Sequence, residues 1–192
     1  MKKHNTERPS VEQLEKELQR VSYRTRYKRV LKSTTYTLIT VAAIAVLVAT
    51  LWMPVLQIYG SSMNPTLQDG QIVFSVKTNN WEQGDILAFY YNNKVLIKRV
   101  IALPGDFVNI TEDGSVYVND TLLEEPYVAE PALGAADITF PYQVPEDSIF
   151  VLGDHRATSV DSRHTALGCV TQEQIAGKVV FRIWPFSEIN WL

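Results

Sequence analysis

Two residues in this 192-residue chain can together make a nucleophile, Ser62 and Lys98. A serine hydroxyl attacks poorly until a neighbouring base takes its proton. Lys98 lies in Val95-Leu96-Ile97-Lys98-Arg99-Val100-Ile101-Ala102, a run that reads as a strand. Alternation puts Leu96, Lys98 and Val100 on one face and Ile97 and Arg99 on the other. Burial of the first face disfavours an ammonium and can lower a lysine pKa by about 3–5 units from roughly 10.4. An arginine cannot take this role, because it keeps its proton. Ser62 stands in Tyr59-Gly60-Ser61-Ser62-Met63-Asn64-Pro65-Thr66-Leu67. Pro65 fixes the chain direction after it, and Gly60 permits close backbone approach before it. Gly60 and Ser62 are therefore the backbone candidates for an oxyanion hole, with the Ser62 amide as the donor.

The competing chemistry is a Ser-His-Asp arrangement. The histidines are His4, His155 and His164, and Asp154 or Asp161 would be the orienting carboxylate. His164 reads as exposed. The single cysteine, Cys169, excludes an intrachain disulfide. Its neighbours Leu167, Gly168 and Val170 make it a small apolar filler rather than a thiol nucleophile. No clustered His/Cys set suggests a metal, and no organic cofactor is implied.

The elements that must position these residues begin with a membrane anchor. No charged residue occurs from Ser33 to Gln68, and residues 34–56 are mostly Leu, Ile, Val and Ala. About 20 such residues span a bilayer. Residues 1–32 hold 10 Lys and Arg against 4 Glu, a net of +6, whereas the rest of the chain carries −9. The basic flank predicts a cytoplasmic segment at residues 1–33, an anchor at 34–56 and an extracytoplasmic domain at 57–192. An acidic domain excludes nucleic acid as a partner. Ser10 with Gln13 reads as a capping box, and Val11, Leu14, Leu18 and Val21 follow helical spacing. This leading helix carries no assigned chemistry.

From residue 57 the pattern changes to short strands and turns. Strands are predicted at 71–76, 85–91, 95–102, 107–111, 116–119, 148–152 and 178–184. Asn92-Asn93 and Gly114 mark hairpins. One short helix is predicted at Gln172 to Ala176, capped by Thr171. Residues 120–146 read as loops of a smaller lobe inserted at about 107–148. The fold class is mainly β, a catalytic domain with a smaller inserted lobe, preceded by one transmembrane helix.

A third segment follows the strands, Gly153-Asp154-His155-Arg156-Ala157-Thr158-Ser159-Val160-Asp161-Ser162-Arg163. The serine motif, the Lys98 segment ending in Leu103-Pro104-Gly105-Asp106, and this third motif resemble, in this order, the bacterial type I signal peptidases. The resemblance covers roughly residues 34–186. It implies the signal-peptidase β-fold and a membrane-bound serine protease with a Ser62–Lys98 dyad. It implies that Ser159 orients the Lys98 amine, and that Arg99–Asp154 and Asp161–Arg163 are structural ion pairs. His155 falls where the family often has a small polar residue, which implies a structural role. Some members carry a serine where this chain has Gly60, so one oxyanion donor is missing here. The implied partners are signal peptides of secretory preproteins, cut after small residues at −1 and −3, together with the lipid bilayer and, by proximity, the export translocon. Two other readings compete. A self-cleaving repressor-type Ser-Lys protease needs a DNA-binding domain and no anchor. A non-catalytic membrane-anchored scaffold would not need both dyad residues.

Overall fold

The computed structural model describes residues 10–52 and 54–192; His4 lies outside them. The chain divides into two units, residues 1–48 and 49–192. Helix α1 (Val11–Trp52), which begins in the first unit, starts at the Ser10–Gln13 capping box. The Ser10 N–H donates to Gln13 Oε1 at 3.1 Å, and the Gln13 N–H donates to Ser10 Oγ at 3.3 Å. The basic segment and the apolar segment form one uninterrupted helix, with no break at residue 33. The helix is long and apolar enough to cross a membrane. Its apolar run reaches residue 56 in sequence, but the helix stops at Trp52 and Val55–Gln57 form a strand. Pro54 explains the stop, since proline cannot donate to a helix and disfavours helical geometry before it.

Among the described residues the second unit contains twelve strands. These are β1 (Val55–Gln57), β2 (Ile72–Val76), β3 (Ile86–Tyr91), β4 (Lys94–Ala102), β5 (Phe107–Ile110) and β6 (Val116–Val118). The others are β7 (Thr121–Leu122), β8 (Tyr142–Gln143), β9 (Ser148–Leu152), β10 (Val170–Thr171), β11 (Ile175–Trp184) and β12 (Asn190–Trp191). The larger sheet runs β1-β2-β11-β3-β4-β9-β10, with β12 added to β11. The smaller sheet runs β7-β6-β5-β8. Every described pairing is antiparallel. β3 and β4 close through Asn92 and Asn93, both at positive φ, the geometry of a tight two-residue hairpin.

Residues 120–146 contain β7 and β8 as well as loops. Two-residue strands carry no periodicity from which to read them. The predicted helix at 172–176 is instead a single 3-10 turn, Gln172–Gln174. β11 begins at Ile175 and claims the rest for its ladder with β3. The smaller sheet packs on β4 and β9 through Ile101, Ala102, Val108, Ile110, Val144, Phe150 and Leu152. Two further clusters lie on opposite faces of β4. Leu96 and Val100 join Leu87, Phe89 and Val151. Ile97 joins Ile58, Met63, Leu67, Val73 and Ile86.

Candidate active site

Ser62 sits in the turn that leads from β1 to β2. Met63 and Leu67, both buried, pin that turn to the core. The Leu67 N–H donates to the Met63 carbonyl at 2.9 Å, and the Asn64 N–H to that of Ser61 at 3.0 Å. Apolar anchoring beside a half-buried serine fixes the backbone while leaving the hydroxyl reachable. Before it, Gly60 adopts φ +88, a conformation costly for residues with a Cβ. Its N–H donates to Asp69 Oδ1 at 2.7 Å. The Gly60 amide is thus engaged by a side chain of its own turn, and the Ser62 amide is the backbone donor beside the nucleophile.

Lys98 comes from β4, opposite Leu87 on β3. Its side chain is buried, with 3% exposure for the residue. Lys98 Nζ and Ser62 Oγ share a hydrogen bond of 2.6 Å across 36 positions of sequence. Burial pulls the Lys98 pKa down from 10.5 to about 8. Asp161 and Asp154 act in the opposite direction, and Arg163 adds to the lowering. The desolvation outweighs the two carboxylates because each is itself paired with an arginine.

The third motif backs this pair. Asp154, 1% exposed, accepts from Arg99 Nε at 2.9 Å and Nη2 at 2.7 Å. The Thr66 hydroxyl donates to the same carboxylate at 2.5 Å. Asp161 accepts from Arg163 Nε at 2.8 Å and Nη2 at 2.9 Å, and from the Gly153 N–H at 3.0 Å. Both ion pairs are buried and bidentate, so each arginine is held in direction as well as charge. The His155 N–H donates to the Ser62 carbonyl at 3.1 Å. A Cβ at position 153 would collide with the Ser62 carbonyl and with Ser159 Oγ, so only glycine lets this backbone lie against the serine loop.

Ser159 is buried beside Gly153, but its hydroxyl has no hydrogen-bond partner among the described residues. The implied bond from Ser159 to Lys98 is therefore absent from this structure. Asn64 Oδ1, two residues after the nucleophile, is likewise buried with no hydrogen-bond partner among the described residues. The His155 ring faces the Thr158 hydroxyl, with Nδ1 3.0 Å from Oγ1. His164 is half-buried rather than exposed, and its carbonyl accepts from the Gly168 N–H at 2.8 Å. Burial pushes the Cys169 thiol up to about 11, so it stays protonated at neutral pH.

A narrow cleft of about 70 Å³ opens on Ser62 and Lys98. Gln57, Ile58, Tyr59 and Gly60 form one wall, and Val95, Leu96, Ile97 and Lys98 the other. β4 has β3 along one edge, but β9 joins its other edge only from Arg99 onward. The backbone of residues 94–98 therefore presents an open strand edge to the cleft. A neutral amine at hydrogen-bond distance from a hydroxyl can activate it for acyl transfer. Sequence reasoning missed three contributors: Thr66, Asp69 and the amide of His155. None has a pattern of its own, because each acts through one contact formed by chain segments that meet only in the fold.

A family model described as signal peptidase, peptidase S26, matches residues 31–184. Signal peptidase I of Bacillus amyloliquefaciens is 37% identical over 142 residues, covering 68% of this chain and 76% of that protein. Signal peptidase IB of Staphylococcus aureus strain MRSA252 is 39% identical over 154 residues, covering 70% and 79%. A crystal structure of a signal peptidase I from Enterococcus faecalis V583 shares 31% identity and covers 53% of this chain and 98% of its own. Its TM-score is 0.43, too weak a likeness to add to the fold described above.

Proposed function

The chain belongs to the signal peptidase family, peptidase S26, and from that premise we propose that Ser62 is its nucleophile and Lys98 its general base. It is a membrane-anchored serine protease that removes signal peptides from preproteins. The observation that carries the dyad reading is the 2.6 Å contact between a buried amine and the serine hydroxyl. Ser62 Oγ attacks the scissile carbonyl carbon as its proton passes to Lys98 Nζ. The tetrahedral oxyanion is held by the Ser62 N–H. Collapse expels the amine of the mature protein, which takes the proton from Lys98. Water then attacks the acyl ester with Lys98 again as base, releasing the signal peptide and restoring Ser62. These steps use no metal or organic cofactor.

The substrate adds as an extended strand to the open edge of β4, facing residues 57–60. Backbone pairing there would present alternate side chains to the cleft walls. The cleft beside Ser62 is narrow, about 70 Å³, which supports cleavage after small residues at −1 and −3. The basic residues before the anchor support a cytoplasmic amino terminus and an extracytoplasmic catalytic unit. On that unit Trp184, Phe186, Ile189 and Trp191 are exposed, a composition suited to the membrane–water interface where the substrate emerges. The export translocon is the neighbour this location implies.

The test is processing of a preprotein by the purified full-length protein in detergent, with the cut mapped. Ser62→Ala should abolish cleavage and remain folded, while Ser61→Ala should retain it. Near-normal cleavage by Ser62→Ala would sink the assignment.

A further inference from the structure

The smaller lobe sends one short segment, Glu124-Glu125-Pro126-Tyr127, to the back of the third motif. Glu125 accepts two hydrogen bonds from Arg156, at 2.8 Å from Nη1 and 2.5 Å from Nη2. The Arg156 side chain is 1% exposed and that of Glu125 10%. The Arg156 Nε donates to the Gly153 carbonyl at 3.1 Å. Two residues on, the Tyr127 ring covers the Arg99 guanidinium, whose central carbon lies 3.9 Å from the ring centroid. The Tyr127 hydroxyl donates to Glu125 Oε1 at 3.0 Å, which ties the two contacts together. Burial first, and then the Glu125 carboxylate, keep that phenol protonated.

The two arginines flank the strip that supports the nucleophile. Arg99 grips Asp154, and Arg156 grips the carbonyl of Gly153. Between them the His155 N–H holds the Ser62 carbonyl, and the bare Gly153 lies against it. The position of Ser62 relative to Lys98 thus depends on residues 153–156, and these depend on what holds Arg99 and Arg156. Neither Glu125 nor Tyr127 touches the dyad itself. Glu125 balances a charge that would otherwise be buried alone, which is costly. Tyr127 closes the open face of Arg99 and restricts it to the plane in which it meets Asp154.

We propose that Glu125 and Tyr127 are positioning residues for the Ser62–Lys98 pair, acting as a clamp from the smaller lobe on residues 153–156. The proposal rests on the dyad reading above. Its signature is a loss of turnover without a loss of binding, because displacement of a nucleophile by a fraction of an ångström lowers kcat steeply.

The experiment uses the full-length protein in detergent and a preprotein substrate, assayed well below the unfolding midpoint of every variant. Tyr127→Ala should lower kcat by about tenfold or more with KM within about twofold. Tyr127→Phe keeps the ring over Arg99 and should recover most of that loss. In a Ser62→Ala background, Tyr127→Ala should leave the affinity for a signal peptide unchanged. If Tyr127→Ala does not fold, Glu125→Gln carries the same criteria, since it keeps the shape and removes the charge. A kcat within twofold of the parent would overturn the clamp, as would a rise in KM at constant kcat. Ser62→Ala serves as the control: if it stays dead while Tyr127→Ala is normal, the clamp alone fails. If it remains active, the dyad reading fails and takes the clamp with it.

Discussion

The histidine nearest the nucleophile touches it through its backbone: the His155 N–H donates to the Ser62 carbonyl at 3.1 Å, while its ring faces Thr158. The side chain that reaches the Ser62 hydroxyl is Lys98. This division separates two mechanisms that the residue types alone leave in competition, and it makes them distinguishable by substitution.

Lys98→Arg should be nearly inactive although it keeps the positive charge, because a guanidinium does not release its proton. His155→Ala and His164→Ala should each retain substantial activity, since alanine preserves the backbone donor at position 155. Preprotein processing by the three variants decides the matter. A dead histidine variant beside an active Lys98→Arg would replace the dyad with a histidine mechanism.

The kcat/KM of the parent enzyme should rise with pH through a single group titrating near 8. Below that midpoint the rate should change about tenfold per pH unit, because only neutral Lys98 accepts the proton. A midpoint near 10.4, that of a solvated lysine, would contradict the burial of the amine.

The same burial costs stability wherever Lys98 is charged. The folded pKa of Lys98 lies below its unfolded value, so the unfolded state binds more protons between about pH 8 and 10.5. Stability therefore rises with pH across that window, and the cost of burying the ammonium, up to about 3 kcal/mol, is fully present below pH 8. Lys98→Met should accordingly raise the unfolding temperature at pH 6.5 and raise it less at pH 10.5. Equal shifts at the two pH values would show that the amine is not desolvated.

Asp161→Ala should destabilise the catalytic unit by about 3–5 kcal/mol, because it leaves the fully buried Arg163 guanidinium with carbonyl partners but no counter-charge. It also removes the acceptor for the Gly153 N–H. Denaturant unfolding of the purified protein measures this. A loss below about 1 kcal/mol would mean that the carbonyls of Leu133 and Arg156 suffice to hold the Arg163 charge.

Protease added to intact spheroplasts should digest residues beyond 60 and spare the first 30. The expectation rests on Arg24, Arg26, Lys28, Arg29 and Lys32, all on the amino side of the apolar run. Protection of the carboxy-terminal unit would reverse the orientation.

Much of the architecture was legible in one dimension because strands and anchors have local signatures. The 2-residue turn at Asn92-Asn93 and the alternation through Lys98 are set by side-chain sterics within a few positions. The limits of these local rules appear at residues 172–176, where helical capping was readable but the ladder of β11 with β3 took the segment. They appear again in β7 and β8, which exist only because β5 and β6 lie beside them.

The sequence by itself determined the anchor, the predominance of strands, and Ser62 and Lys98 as the residues to watch. Tertiary structure alone decided that these two side chains meet at 2.6 Å. It also decided that Asp69 occupies the Gly60 amide and that the Ser159 hydroxyl meets no hydrogen-bond partner among the described residues. The physical reason is the reach of each interaction. Hydropathy and alternation act over a few residues and leave a repeating trace. A hydrogen bond across 36 or 88 positions, such as Lys98 to Ser62 or Thr66 to Asp154, depends on the packing of a whole sheet and leaves none.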